Sequence, residues 1–303
     1  MNDKAGADRR AGHSTNPETM RKALHSMLHF AGLLLASIGL FVGCATMYSQ
    51  HISFPKEYHP DEPGKIDQLQ SDKRNFFHPQ LMLESTLLLA QWEQTPIDSA
   101  DALILTGRRT SGYFSAGAVV LLMLAGFFAA GWPGAILVAL AAGLCPPLLA
   151  HSRYLKEEPA LMFGIAFCVA AAAAMSRVRG VFPLLLMAVV LGIGCGLAAS
   201  GKYVGLLMTV PAIAMTTATT WRRWWLAPIA LLLMLGAGAQ TWTTINHRAV
   251  ADWETFRRGF DYERTHALEE HGSITMAKPN WFFIDMVWTD AMPHIKVLAV
   301  IAP

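Results

Sequence analysis

The chain has 303 residues, 53% hydrophobic and only 15% charged, with a mean hydropathy of +0.34. That is too oily for an ordinary soluble domain and reads as an all-α, multi-span membrane protein. A net charge of +2 supplies no basic field for nucleic acid, and no DNA-binding motif is present. Cys44, Cys145, Cys168 and Cys195 all lie in apolar stretches, which points to small buried thiols rather than a disulfide framework or a zinc site.

Residues 1–26 form a polar tail carrying Lys4, Arg9, Arg10, Arg21 and Lys22. A hydrocarbon core of about 30 Å takes roughly 20 apolar residues per helix, so spans fall in the gaps between charges. The first is 27–48. A basic lead before an apolar run is also the outline of a signal peptide, and Leu40-Phe41-Val42-Gly43-Cys44 has the look of a lipoprotein processing site. Both parts are long for a signal, so an anchor is expected. The next stretch, 49–112, is too long for a simple connector. It holds the adjacent carboxylates Asp61 and Glu62, and residues 76–89 have apolar positions suited to a short helix lying on the bilayer surface. Arg108 and Arg109 close it, and a phosphate partner and snorkelling to headgroups both remain open for them.

No Asp, Glu, Lys or Arg occurs between positions 113 and 150, and Gly131-Trp132-Pro133-Gly134 breaks that run into two spans. Further spans follow at 159–175, 181–199, 203–220 and 225–246, making seven complete spans. An eighth begins near Ile295 and stops at Pro303, so the sequence reads as truncated. Counting Lys and Arg in short loops places the N-terminus, Arg177, Arg179, Arg222 and Arg223 in the cytoplasm of a multi-pass protein of the cytoplasmic membrane. Segments 49–112, 151–158, the turn at Lys202 and 247–293 then face outward. Every conspicuous acidic cluster lies on that side.

Five passages together resemble the membrane glycosyltransferases of the GT-C superfamily, specifically the protein mannosyltransferase and aminoarabinose transferase type. Asp61-Glu62 is similar to that family's first-loop carboxylate motif, and Phe77-His78-Pro79-Gln80-Leu81 to the His-Pro element before a surface helix. His151-Ser152-Arg153-Tyr154-Leu155-Lys156-Glu157-Glu158 resembles the loop between the third and fourth spans, with Glu158 where Asp is more usual. Gly196 to Tyr203 resembles the small-residue and lysine passage opening the sixth span. Phe260-Asp261-Tyr262-Glu263-Arg264-Thr265-His266, followed by His271, resembles a later outer loop. The resemblance implies a GT-C-like helix bundle over 27–303. Its large extracytoplasmic first loop, 49–112, would carry catalytic residues and surface helices, and 247–293 would form a second outer region.

The same resemblance implies transfer of a sugar from a polyprenyl-phosphate donor to a hydroxyl on a lipid, protein or glycan acceptor, with inversion. Such a donor keeps its tail among membrane lipids and its anomeric carbon at the interface, so the catalyst needs groups at headgroup depth. Asp61 is implied as general base, with Glu62 beside it as the second catalytic carboxylate. Arg109, Arg153, Lys156 and Lys202 are candidate cations for the departing phosphate. His78, Glu158, Glu263 and His266 complete the expected substrate contacts.

Plainer readings exist for each. Acidic residues before Pro63-Gly64 can start a solvated turn, and Glu157-Glu158 can favour a helix N-terminus. A lone lysine between apolar spans is costly enough to need a role or an anion. Gly196 to Lys202 mimics a phosphate-binding loop, but Tyr203 replaces the required Ser or Thr and no strand precedes it, so an ATP site is rejected. His59, His78, His151, His266 and His271 could hold a divalent cation with Asp61 or Glu62, but no pair has ligand spacing on one helix. His271 is the weak candidate there, and no metal site is assigned. The tryptophans at 221, 224, 225, 242, 281 and 288 read as interfacial anchors. A transporter or lipid flippase, or a non-catalytic assembly subunit, is the alternative. Nearly charge-free span interiors and the lack of a visible repeat argue against transport.

Overall fold

The computed structural model describes residues 17–55 and 59–268, and all regular structure among them is helical. The elements are α1 (Pro17–Tyr48), α2 (Asp61–Ser71), α3 (Leu81–Trp92), α4 (Ala100–Gly143), α5 (Pro146–His151), α6 (Glu158–Met175) and α7 (Val181–Gly201). They continue with α8 (Thr209–Thr220), α9 (Ala227–Ile245), α10 (His247–Ala251) and α11 (Trp253–Leu268), with 3₁₀ turns at Tyr203–Met208 and Trp221–Leu226. Five helical stretches are long and apolar enough to cross a membrane: Met27–Tyr48, Ala100–Gly143, Glu158–Met175, Val181–Gly201 and Tyr203–Ile245. The expected start of an eighth span lies outside the described residues.

Two of these stretches are interrupted. In α4 the backbone leaves helical geometry at Ala130 and Gly131, the latter at φ +69° and ψ −154°, a region open essentially to glycine alone. A side chain at Gly126 would meet the carbonyl of Gly134, and one at Gly143 would touch Val119. At 1.5 Å rise per residue, positions eight apart on one helix lie about 12 Å apart. The chain therefore folds back at Gly131, where the Gly-Trp-Pro-Gly string predicts a break. The second interruption is Arg223, at φ −135° and ψ 56°, between α8 and α9.

The bundle is held by close backbone approach, as expected where lipid gives helices no hydrophobic reason to associate. α7 is central. A side chain at Gly164 of α6 would strike the backbone of Ala198, and one at Gly192 would strike the carbonyl of Met234 on α9. The last turn of α1 packs against α4, where the buried Tyr48 hydroxyl donates to the Gly143 carbonyl at 2.9 Å. Toward its start α1 leaves Met27, Phe30, Leu34 and Leu35 exposed, as a lipid-facing anchor should.

The stretch 49–112 holds two helices, α2 and α3, and the start of α4. Asp61 and Glu62 open a helix rather than a solvated turn, with Pro63 tolerated because the first turn lacks intrahelical N–H partners. The surface helix begins at Leu81, and α4 starts at Ala100 rather than at position 113. Ile66, Leu69, Leu81, Met82, Leu83, Leu103, Ile104 and Leu155 form one apolar core beneath these helices. Asn246 is its buried polar tie: it accepts from the Gln80 N–H and donates to Ser200 and to the Trp242 carbonyl, each at 2.9 Å.

Candidate active site

The helix ends at Asp61, Glu158 and Lys202, together with the 76–78 segment and α11, enclose a cavity of about 1710 Å³. One end is ionic: Asp61, His78, Lys156, Glu158, Lys202 and Glu263 line it. The other is apolar, formed by Cys195, Ala199, Leu206, Leu207, Met234, Leu235 and Trp242. Leu206 and Leu207 are exposed, so the apolar end opens at the surface of the bundle.

Along the ionic wall charges alternate. Lys156 Nζ stands 3.8 Å from Asp61 and 3.9 Å from Glu158, while Lys202 Nζ donates to Glu158 Oε1 at 2.9 Å. Burial works against the charge on Lys202, but its hydrogen bond to Glu158, with Glu157 and Glu263 behind, holds its pKa above the ordinary value. Asp61 is 47% exposed at its side chain, and His59 lies 3.8 Å from it. Desolvation and then Lys156 push the His59 pKa down, so the imidazole beside Asp61 is neutral at pH 7.

Glu62 takes a different place from its neighbour. It is fully buried and accepts from Arg108 Nε at 3.0 Å and Nη2 at 2.6 Å, and from the Leu155 N–H at 2.8 Å. Arg108, also fully buried, donates further to the carbonyls of Ile52, Phe54 and Pro55, and lies 3.6 Å above the Phe54 ring. Glu62 therefore does not reach the cavity with Asp61, and Arg108 needs no lipid phosphate. Arg109 pairs with Glu93, and Arg153 does not line the cavity either. Both depart from the expected donor contacts. Glu157 is held by Lys65 at 3.1 Å, both nearly buried.

The far wall of the cavity comes from α11, whose face bearing Phe256 and Phe260 packs on Tyr203, with Phe256 also meeting Phe76 and Trp242. Trp242 is thus a cavity residue rather than an interfacial anchor, unlike the exposed Trp221, Trp224 and Trp225. Phe76 sits at φ +54°, costly for a side chain of that size. It is held there by Tyr203, whose hydroxyl donates to its carbonyl at 2.8 Å, and by Gly259 pressed on the Asn75 and Phe76 backbone. The segment then brings Phe77 and His78 to the cavity. Phe77 stacks on Tyr262 at 4.3 Å, and His78 Nδ1 is 3.8 Å from Glu263. His266 lies in α11 with its side chain outside the described set, and His271 and the tryptophans at 281 and 288 lie outside the described residues altogether. Among the described residues, no three His, Cys, Asp or Glu side chains gather as a metal site.

The bundle and its cavity can be set beside known proteins. The family model for dolichyl-phosphate-mannose-protein mannosyltransferase matches residues 108–250. The fold is similar to the solved structure of the S. cerevisiae protein O-mannosyltransferase Pmt1-Pmt2 complex bound to the sugar donor, with a TM-score of 0.58 and 17% identity. That likeness covers 74% of this chain and 34% of the yeast chain, so this chain spans about a third of its relative. No curated protein sequence matches it.

Proposed function

We propose that this chain forms the membrane-embedded transfer site of a mannosyltransferase-type enzyme that moves a sugar from a polyprenyl-phosphate donor to a hydroxyl of a protein acceptor. The cavity carries this reading, because a single space is apolar toward the lipid and ionic at the other end, as a lipid tail and a sugar phosphate jointly require. In the proposed step the acceptor oxygen attacks the anomeric carbon and its proton passes to the Asp61 carboxylate. The bond from that carbon to the phosphate oxygen breaks, its electron pair leaves with the lipid phosphate, and the anomeric centre inverts. Lys202 and Lys156 balance the charge that gathers on the phosphate.

In this reading the interruptions at Gly131 and Arg223 each separate two crossings, seven in all, and the N-terminus and the Arg177/Arg179 and Arg222/Arg223 loops lie in the cytoplasm. Asp61, Lys156 and Lys202 then lie together at the extracytoplasmic surface. Glu62 acts in this scheme as a positioning residue, fixing the start of α2 and hence Asp61.

The test is transfer of labelled mannose from a short-chain mannosyl-phosphoryl polyprenol to a Ser/Thr peptide by the full chain in proteoliposomes. Asp61→Asn is expected to abolish transfer while donor binding persists. Unchanged turnover in that variant refutes the assignment of the base.

A further inference from the structure

The end of the bundle away from the cavity carries charge of one sign only. α6 runs from Glu158 to Met175 and α7 returns from Val181 to Gly201. The turn joining them therefore stands about 27 Å from the Glu158–Lys202 pair, the length of an 18-residue helix. Two further turns reach the same end. Arg177 donates to the Ala129 carbonyl at the α4 fold-back, and Val178 packs in the apolar cluster that holds Met215 of α8 and Ala230 of α9. Arg177, Arg179, Arg222 and Arg223 lie in these turns, all exposed, and no Asp or Glu occurs at positions 102–156 or 159–251. On the cavity side Arg74, Arg108, Arg109 and Arg248 each meet a carboxylate. None of the four arginines here forms an ion pair among the described residues.

Aromatic rings accompany these charges. Trp221, Trp224 and Trp225, which bracket Arg222 and Arg223, are 77%, 78% and 56% exposed, so the fold itself makes little use of their indoles. Beside Arg177, the rings of Phe127 and Phe128 and the backbone of 129–131 wall a cleft of about 380 Å³. The partner that complements this surface is anionic at one end and apolar at the other. Phosphate oxygens accept the paired N–H groups of a guanidinium, indoles sit at the boundary of headgroup and acyl chain, and a phenyl wall takes the chain. A zwitterionic headgroup sets its own ammonium against the arginines, and a soluble polyanion leaves the rings bare. We infer that this end of the bundle binds anionic phospholipids, with phosphates on Arg177 and on Arg222 and Arg223, and an acyl chain along Phe127 and Phe128. The unpaired charge also draws such lipids from a distance, an attraction that salt weakens. The inference uses none of the residues of the sugar-transfer reading and stands or falls apart from it.

The test places the full chain in phosphatidylcholine bilayers and titrates in phosphatidylglycerol brominated on its acyl chains, which quenches the tryptophans it touches. Brominated phosphatidylcholine is the comparison lipid. At low salt the wild-type chain is expected to prefer the anionic lipid by about tenfold or more. Arg222→Gln and Arg223→Gln should each lower that preference roughly three- to fivefold, while Arg222→Lys, which keeps the charge, retains most of it. Arg177→Gln should act in the same direction. It also releases the Ala129 carbonyl, so the two variants in the exposed turn keep the result readable if that protein does not fold. Millimolar inorganic phosphate is expected to leave the quenching unchanged. Equal quenching of the wild-type chain by both lipids, an unaltered preference in the glutamine variants, or displacement of the lipid by inorganic phosphate overturns the inference.

Discussion

Arg108→Met tests the most heavily bonded contact in the outer region. The substitution keeps much of the side-chain volume but removes two bonds to Glu62, those to the carbonyls of Ile52, Phe54 and Pro55, and the contact with the Phe54 ring. Glu62 is then a fully buried carboxylate with only the Leu155 N–H as partner. Removing one member of a buried ion pair costs about 3–5 kcal/mol, a change of more than about a hundredfold in the ratio of folded to unfolded protein. Lysine is no substitute, because one ammonium cannot replace the bidentate fork and the three carbonyl contacts together. Removing the carboxylate instead, as Glu62→Met, leaves the guanidinium three carbonyls and a ring, and should cost less. The double variant has no bare charge, so it should be more stable than the sum of the single losses by about 2 kcal/mol or more. Unfolding in mixed detergent micelles, followed by tryptophan fluorescence, measures all four proteins. Additive losses, or a cost below about 1 kcal/mol for Arg108→Met, refute the buried pair.

At Gly131, substitution by alanine forces a Cβ into backbone space that only glycine occupies, and about 1–3 kcal/mol of destabilisation is expected by the same unfolding assay. An unchanged midpoint would show that the α4 fold-back does not depend on that conformation. Acid should weaken the outer region. Burial, more than the neighbouring lysines, depresses the pKa values of His59 and His151 below their ordinary 6.5. The unfolded chain therefore takes up protons first as pH falls below 6.5, and stability drops from there toward the depressed folded values while remaining full above 6.5. His151→Gln should flatten that acid limb, and an identical limb in the variant would deny its origin.

Much of this arrangement was legible in the residues, and what escaped had a common cause. The charge-free run after position 113, the breaking string around Gly131 and the spacing of Lys and Arg give the order of apolar helices, because bilayer thickness and loop charge act on the chain locally. They also place Asp61, His78, Lys156, Glu158, Lys202 and Glu263 on one side, and the structure gathers those six around one cavity. The role of α11 was harder to read. Its Phe256 and Phe260 contact Tyr203, and Phe256 also meets Phe76 and Trp242, so its orientation depends on partners far away in sequence.

Neighbouring charges were the recurrent difficulty, and the reason is angular. Successive residues on a helix point about 100° apart, so a charged dipeptide cannot serve one purpose. Asp61 faces the cavity while Glu62 turns inward to Arg108; Arg108 turns inward while Arg109 pairs with Glu93; Glu158 meets Lys202 while Glu157 meets Lys65. In each doublet the more deeply buried member is held in an ion pair that fixes the backbone on which its partner stands. A sequence shows two like charges and invites reading them as one motif. Where the other member lines the cavity, as Asp61 and Glu158 do, a substitution in either is expected to lower the proposed transfer, and only a stability measurement beside the transfer assay separates the two.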